Sequence, residues 1–211
     1  MRTSVQKKRL WYQSGFFVLF IVAPIFDLFR YDLNQKHFYL LGQHWTLGLD
    51  LFQQGLMSPA EASINLLLRG FLPILGAAAL FIFIAWRWGR LYCGWMCPHY
   101  SVVELINNLM YRASGKPSLW EKNPLPELQP DGTRIRPARI YWLFTFLAVA
   151  LFSFVWAVSL LTYLLPPQEI YSNLLHGELT RNQFVFITAA TLLLSIEFTF
   201  ARHFFCRFGC A

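Results

Sequence analysis

The chain has 211 residues, 56% of them hydrophobic and 14% charged, and Phe alone supplies 21. Soluble domains carry about a quarter charged residues, so this composition argues against an ordinary soluble globule and for a membrane protein. The net charge is +7, but the basic residues stand in short loops without an ordered basic face, which argues against a nucleic-acid partner and makes charge a guide to topology.

Four segments are apolar enough to cross a bilayer, which takes about 20 residues. The first, about 11–29, reads WYQSGFFVLFIVAPIFDLF. No small-x-small cleavage site precedes Asp27, so it reads as a retained anchor. Asp27 and Arg30, three apart, read as a helical pair. The outer loop RYDLNQKHFYLLGQHWTLGLDLFQQGLM is too mixed to span. It is expected along the outer interface, where Trp and Tyr sit at headgroup level, with His37 and His44 as packing residues. Ser58-Pro59-Ala60-Glu61 is a helix start: Ser caps, Pro takes the first position and Glu reaches back. That helix begins before the membrane and crosses it over about 70–88.

It runs into Cys93-Gly94-Trp95-Met96-Cys97-Pro98. Pro98 then opens PHYSVVELINNLMYR, where Val102, Leu105, Ile106, Leu109 and Met110 recur at helical spacing. A short amphipathic helix on the cytoplasmic surface is expected. SGKPSLWEKNPLPELQPDGTRIRP follows as a Pro-rich linker. The third span, about 140–165, has no charge, and the fourth, about 182–201, has one, Glu197.

The expected fold is an all-α integral membrane protein with four transmembrane helices in two hairpins. Residues 1–98 form the first hairpin, ending in Cys93 and Cys97. Residues 99–139 form the amphipathic helix and linker, and 140–211 the second hairpin, ending in Cys206 and Cys210. Fourteen of the eighteen Lys and Arg then fall on one side, so both termini and both cysteine pairs are expected to be cytoplasmic. GRLYCGWMC and ARHFFCRFGC make a weak internal repeat, a pattern that often places a shared site between the halves.

All four cysteines stand in these two C-x3-C pairs. Packing cysteines would be scattered, disulfides do not suit a reducing compartment, and thiol-redox motifs space their cysteines by two residues. Soft thiolates select zinc, cuprous copper or iron–sulfur clusters. C-x3-C-P is also the tail of the bacterial ferredoxin run. A proline after a ligand starts a helix whose positive end favours an anionic cluster, and Arg90, Arg202 and Arg207 add charge of the same sign. His99 and His203 lie beside the cysteines, as candidates for hydrogen bonds around a cluster or as solvated polar residues. Glu197 is either a proton or quinol handler or a partner for Arg202.

GRLYCGWMCPHYSVVELI resembles the C-x3-C-P membrane segment of the polyferredoxin family that includes NapH, NosR and CcoG (FixG). RYDLNQKHFYLLGQHW and LPPQEIYSNLLHGELTRNQFVFI resemble its regions between spans, and HFFCRFGC stands where the family has its second motif. The resemblance covers most of the chain, and its specific part is the cysteine motifs. It implies a membrane iron–sulfur protein of a respiratory or oxidase-assembly electron path in the bacterial inner (cytoplasmic) membrane, with Cys93, Cys97, Cys206 and Cys210 as ligands. Two departures stand out: Ala211, not proline, follows Cys210, and complete ferredoxin runs are absent. A truncated member is therefore expected, completed by a C-terminal ferredoxin domain or a separate redox partner.

Electron transfer through a [4Fe–4S] cluster is the leading reading. A copper-handling or cupric-reducing factor for cytochrome oxidase assembly is the first alternative, and a structural zinc-stapled anchor is the second. The chain carries no nucleophile–base motif, phosphate loop or nucleotide motif, which favours an electron carrier over a self-sufficient enzyme. Expected partners are the bilayer, a redox protein and a quinone ring at the aromatic outer loop.

Overall fold

A computed structural model describes residues 4–34, 37–47, 52, 54–116, 118–124, 126–128, 134 and 136–200, with backbone alone for 4, 6 and 90–93. Helix α1 spans Ser4–Val22. The residue before a proline is pushed out of the helical region, so the helix stops ahead of Pro24 and a turn follows. The first apolar segment therefore does not stay helical to Phe29.

Phe29 already belongs to a strand. Three short strands, β1 Phe29–Asp32, β2 His37–Leu40 and β3 Gln43–Trp45, form an antiparallel meander. The register pairs Asp32 with His37 and Leu40 with Gln43. This corrects the all-α expectation. The hairpin turn is Leu41-Gly42, both with positive φ (51° and 76°). That is the two-residue form whose twist suits adjoining strands. Asp27 and Arg30 do pair, but through a turn rather than a helix, and Asp27 itself has φ 51°. Arg30 also meets the fully buried Asp32 at 3.1 Å and stacks over the Tyr39 ring at 4.3 Å. The buried cation thus has carboxylates and a ring face in place of water.

The Ser58 start forms as the sequence predicts. Ser58 Oγ accepts from the Glu61 N–H (3.3 Å) and Glu61 Oε2 accepts from the Ser58 N–H (3.2 Å). Helix α2, Pro59–Leu66, passes through a π-helical turn, Leu67–Phe71, into α3, Leu72–Trp95. Pro73 lacks the N–H that would bond the carbonyl four residues back, that of Arg69. The Trp45 indole N–H takes that carbonyl at 3.0 Å, tying the sheet to this helix.

Helix α4 spans Pro98–Ser114, α5 Ile140–Thr162, α6 Pro167–His176 and α7 Arg181–Phe200. Helices α5 and α7 form an antiparallel pair. Val158 and Leu161 meet Ile187 at one end, with Ile170 of α6, while Val149 meets Phe198 further along. The buried Ser153, Ala157 and Ser159 of α5 are small, which allows close approach of apolar helices. Helix α1 lies alongside α5, with Phe17 on Phe152 (ring centroids 5.8 Å) and Phe20 on Trp156 (4.5 Å). The sheet hangs from the far end of α5, where the Tyr31 and Leu33 N–H groups donate to the carbonyls of Tyr163 and Leu164 (2.9 and 3.0 Å).

The apolar face of helix α4 meets protein. Its Val102, Val103, Ile106 and Met110 are buried against Val149 and Phe198, while Leu105 faces outward. It runs against the direction of α5. His99 near its start meets Trp156, and Arg112 near its end stacks on Tyr141. Its N-terminus therefore sits level with the interior of α5, not beyond its end. Among the described residues, three helical stretches are long and apolar enough to cross a bilayer: Pro59–Gly89, Ile140–Thr162 and Arg181–Phe200. The mostly helical chain is thus compatible with a membrane protein.

Candidate functional site

The first cysteine motif is a helix–turn–helix corner. Cys93 stands in the last turn of α3, and Cys97 is the N-cap of α4 with extended backbone (φ −68°, ψ 114°). Pro98 takes the first helical position, where a missing N–H costs nothing. The Cys97 carbonyl accepts from the Ser101 N–H (3.2 Å) and hydroxyl (3.0 Å). The half-buried Cys97 therefore sits at the positive end of a 17-residue helix, which stabilises a thiolate.

Helix α1 grips this corner. Arg9 Nε and Gln13 Nε2 both donate to the Gly94 carbonyl, at 3.0 and 3.1 Å. The same two side chains reach Glu104 Oε2 on α4, Arg9 through Nη2 as an ion pair and Gln13 at 3.4 Å. Tyr12 packs on Trp95, ring centroids 5.9 Å apart. None of Arg9, Gln13 or Glu104 stood out as a site residue in the sequence. The available signal was weak: Arg9, Tyr12 and Gln13 stand at helical spacing, but among other polar residues, Gln6, Lys7, Lys8 and Ser14, at the start of the apolar segment.

The other side of the corner is closed by α7. His99 Nε2 and Glu197 Oε1 are 2.8 Å apart, with side chains only 16% and 11% exposed. The His99 ring also packs on Phe198 (5.3 Å) and Trp156 (6.2 Å). Glu197 thus has a partner on α4. From the linker, Trp120 Nε1 donates to the Phe200 carbonyl (2.8 Å) at the last residue of α7.

The structure so brings Cys97, Pro98, His99 and Glu197 together. The side chains of Cys93 and Arg90 lie outside the described residues, as do Cys206, Cys210, Arg202, His203 and Arg207 entirely. Among the described residues, no three His, Cys, Asp or Glu side chains are grouped to hold a metal ion. His37 and His44 face one another on adjoining strands, ring centroids 6.4 Å apart, far along the chain from this corner.

Residues 70–117 match a family described as a 4Fe-4S binding domain. No curated protein and no solved structure matches the chain. The matched stretch holds α3, Cys93, Cys97 and the whole of α4. It supports an iron–sulfur, ferredoxin-type family and an electron-transfer role. The donor chemistry here fits such a group. Thiols are the soft ligands iron–sulfur clusters take, and Cys97 stands at a helix N-terminus that favours negative charge. The Gly94 carbonyl, between the two cysteines, already has its dipole satisfied by Arg9 and Gln13.

Proposed function

We propose that this chain is a membrane-bound electron-transfer protein in which Cys93, Cys97, Cys206 and Cys210 hold one [4Fe–4S] cluster. The observation that carries the reading is the contact of His99 with Glu197 and Phe198. It sets the end of α7, six residues before Cys206, against the first turn after Cys97, within a stretch that matches the 4Fe-4S binding domain family. When bound, the cluster supplies one-electron acceptance and donation.

The chain's own residues do the rest. The cysteines bind, the α4–α5–α7 core excludes water, and α1 orients the corner. Helix α1 joins the three apolar stretches as a fourth span, and both termini face the cytoplasm, as the Lys and Arg distribution favours. The cluster is recessed toward the interior of the bundle and opens to the cytoplasmic side of a bacterial inner membrane. A one-electron carrier needs a donor and an acceptor, so a redox partner protein docks at that opening. The pathway is respiratory or serves oxidase assembly.

Anaerobic purification with iron and sulfide analysis tests this. About four of each per chain is expected. Copper without sulfide would point instead to a copper-handling accessory factor, and colourless protein with zinc to a structural staple.

A further inference from the structure

We infer that the Arg9–Glu104 ion pair tunes the reduction potential of the cluster held at the first cysteine corner. This rests on the iron–sulfur reading above. Arg9 serves two acceptors at once: the Gly94 carbonyl, inside the C-x3-C turn, and the Glu104 carboxylate, seven residues beyond Cys97. Gln13, itself 5% exposed, bridges the same two acceptors. One positive and one negative charge are thus fixed one hydrogen bond from the turn that carries the thiols. Among the described residues, His99 and Glu197 also meet near the corner, on the side closed by α7.

The Arg9 and Glu104 side chains are 32% and 37% exposed, so solvent screens them in part, and a lone charge there acts through its closeness to the Gly94 turn. As a pair, Arg9 and Glu104 nearly cancel at the corner. Removing one leaves the other uncompensated. A lone carboxylate disfavours adding an electron, and a lone guanidinium favours it.

A purely structural clamp makes a different statement: loss of either partner would loosen the corner in the same sense. The sign of the shift therefore separates the two. Arg9 and Glu104 are positioning residues in this scheme and touch no reacting atom.

The full chain is purified anaerobically as wild type, Arg9→Gln, Glu104→Gln, the double variant and Arg9→Lys. Iron and sulfide are measured for each, and visible absorbance is followed through a redox titration. Arg9→Gln is expected to lower the midpoint potential and Glu104→Gln to raise it. Each shift is about tenfold in the oxidised-to-reduced ratio at fixed potential, or about 59 mV for a one-electron couple. The double variant and Arg9→Lys are expected to return close to wild type. Single variants that shift in the same sense, or not at all, would overturn the inference while leaving the iron–sulfur reading intact. If Arg9→Gln fails to hold its cluster, the sign of the Glu104→Gln shift decides alone. Wild-type protein without iron and sulfide would overturn the iron–sulfur reading itself, and the inference with it.

Discussion

Helices α3 and α5 are both long and apolar, yet they meet the rest of the protein in opposite ways. In the most apolar part of Pro59–Gly89 nothing is buried, whereas 33% of that part of Ile140–Thr162 is. Both carry small residues. On α5, Ser153, Ala157 and Ser159 are covered by neighbouring helices. On α3, a Cβ added at Gly76 would meet nothing within 4 Å. The difference lies in the connections. Helix α5 is tied to α7 through the short α6 segment, and the hairpin delivers an antiparallel neighbour. Helix α3 follows a sheet and a separate helix, and Arg9 and Gln13 hold its last turn. Apolarity therefore identifies the solvent of a helix, while connection and side-chain size decide its partners. An apolar helix of this length and exposure is compatible with lipid around it.

The gripped turn is where this contrast breaks down, and it gives the largest expected effect. Cys97→Ser replaces a soft thiolate with a hard hydroxyl. Iron and sulfide should fall to background with the chain still folded, because the cap geometry and Pro98 remain. Retention of full colour would show that Cys97 is not a ligand. The next effect sets the packed region directly against the bare one. Phe198 is fully buried and Leu80 is 60% exposed. Phe198→Ala should cost about 3–5 kcal/mol in detergent unfolding through the cavity it leaves. Leu80→Ala should stay within about 0.5 kcal/mol, as exposed substitutions do. Equal losses would mean that α3 has a protein neighbour after all.

A smaller effect is expected where the two regions are joined. Trp45→Phe keeps the ring but removes the donor that serves the Arg69 carbonyl, which Pro73 leaves open. The loss should be about 1–2 kcal/mol, with faster amide exchange in the π-helical turn than in α5. If exchange rises in both helices alike, the sheet does not anchor α3 specifically.

How much of this could be read in advance follows from the range of each interaction. The later spans were legible because a long charge-free run has few other uses: α5 begins at Ile140, as expected, and α7 at Arg181, one residue early. The Ser58–Glu61 cap was legible because all its partners lie within four residues. The sheet was not, since Leu41-Gly42 is a weak hairpin signal beside Asn-Gly and the strands are three or four residues long. The amphipathic pattern of α4 was read, but such a pattern cannot say whether its apolar face meets headgroups or a protein core. His99 and Glu197 were both noted, yet a contact between residues 98 apart depends on how α4 and α7 pack, which no local pattern encodes.

The smallest expected effect probes the packed face of α5 itself. Ser153 is fully buried, and its hydroxyl has no hydrogen-bond partner among the described residues. A buried hydroxyl left unbonded carries a desolvation cost of about 1–3 kcal/mol, against which alanine loses one small polar atom and leaves a hole of the same size. Ser153→Ala should therefore be neutral or stabilising by up to about 1 kcal/mol in a denaturant series. The matching change on the bare helix, Ala78→Ser, places a hydroxyl at an exposed position, where it can bond the carbonyl four residues back, and should stay within about 0.5 kcal/mol. If Ser153→Ala instead loses more than about 1 kcal/mol, the hydroxyl is bonded in the folded bundle. Small residues on α5 would then hold their neighbours by hydrogen bonds as well as by letting them come close, and the contrast with α3 would be one of polarity and not only of size.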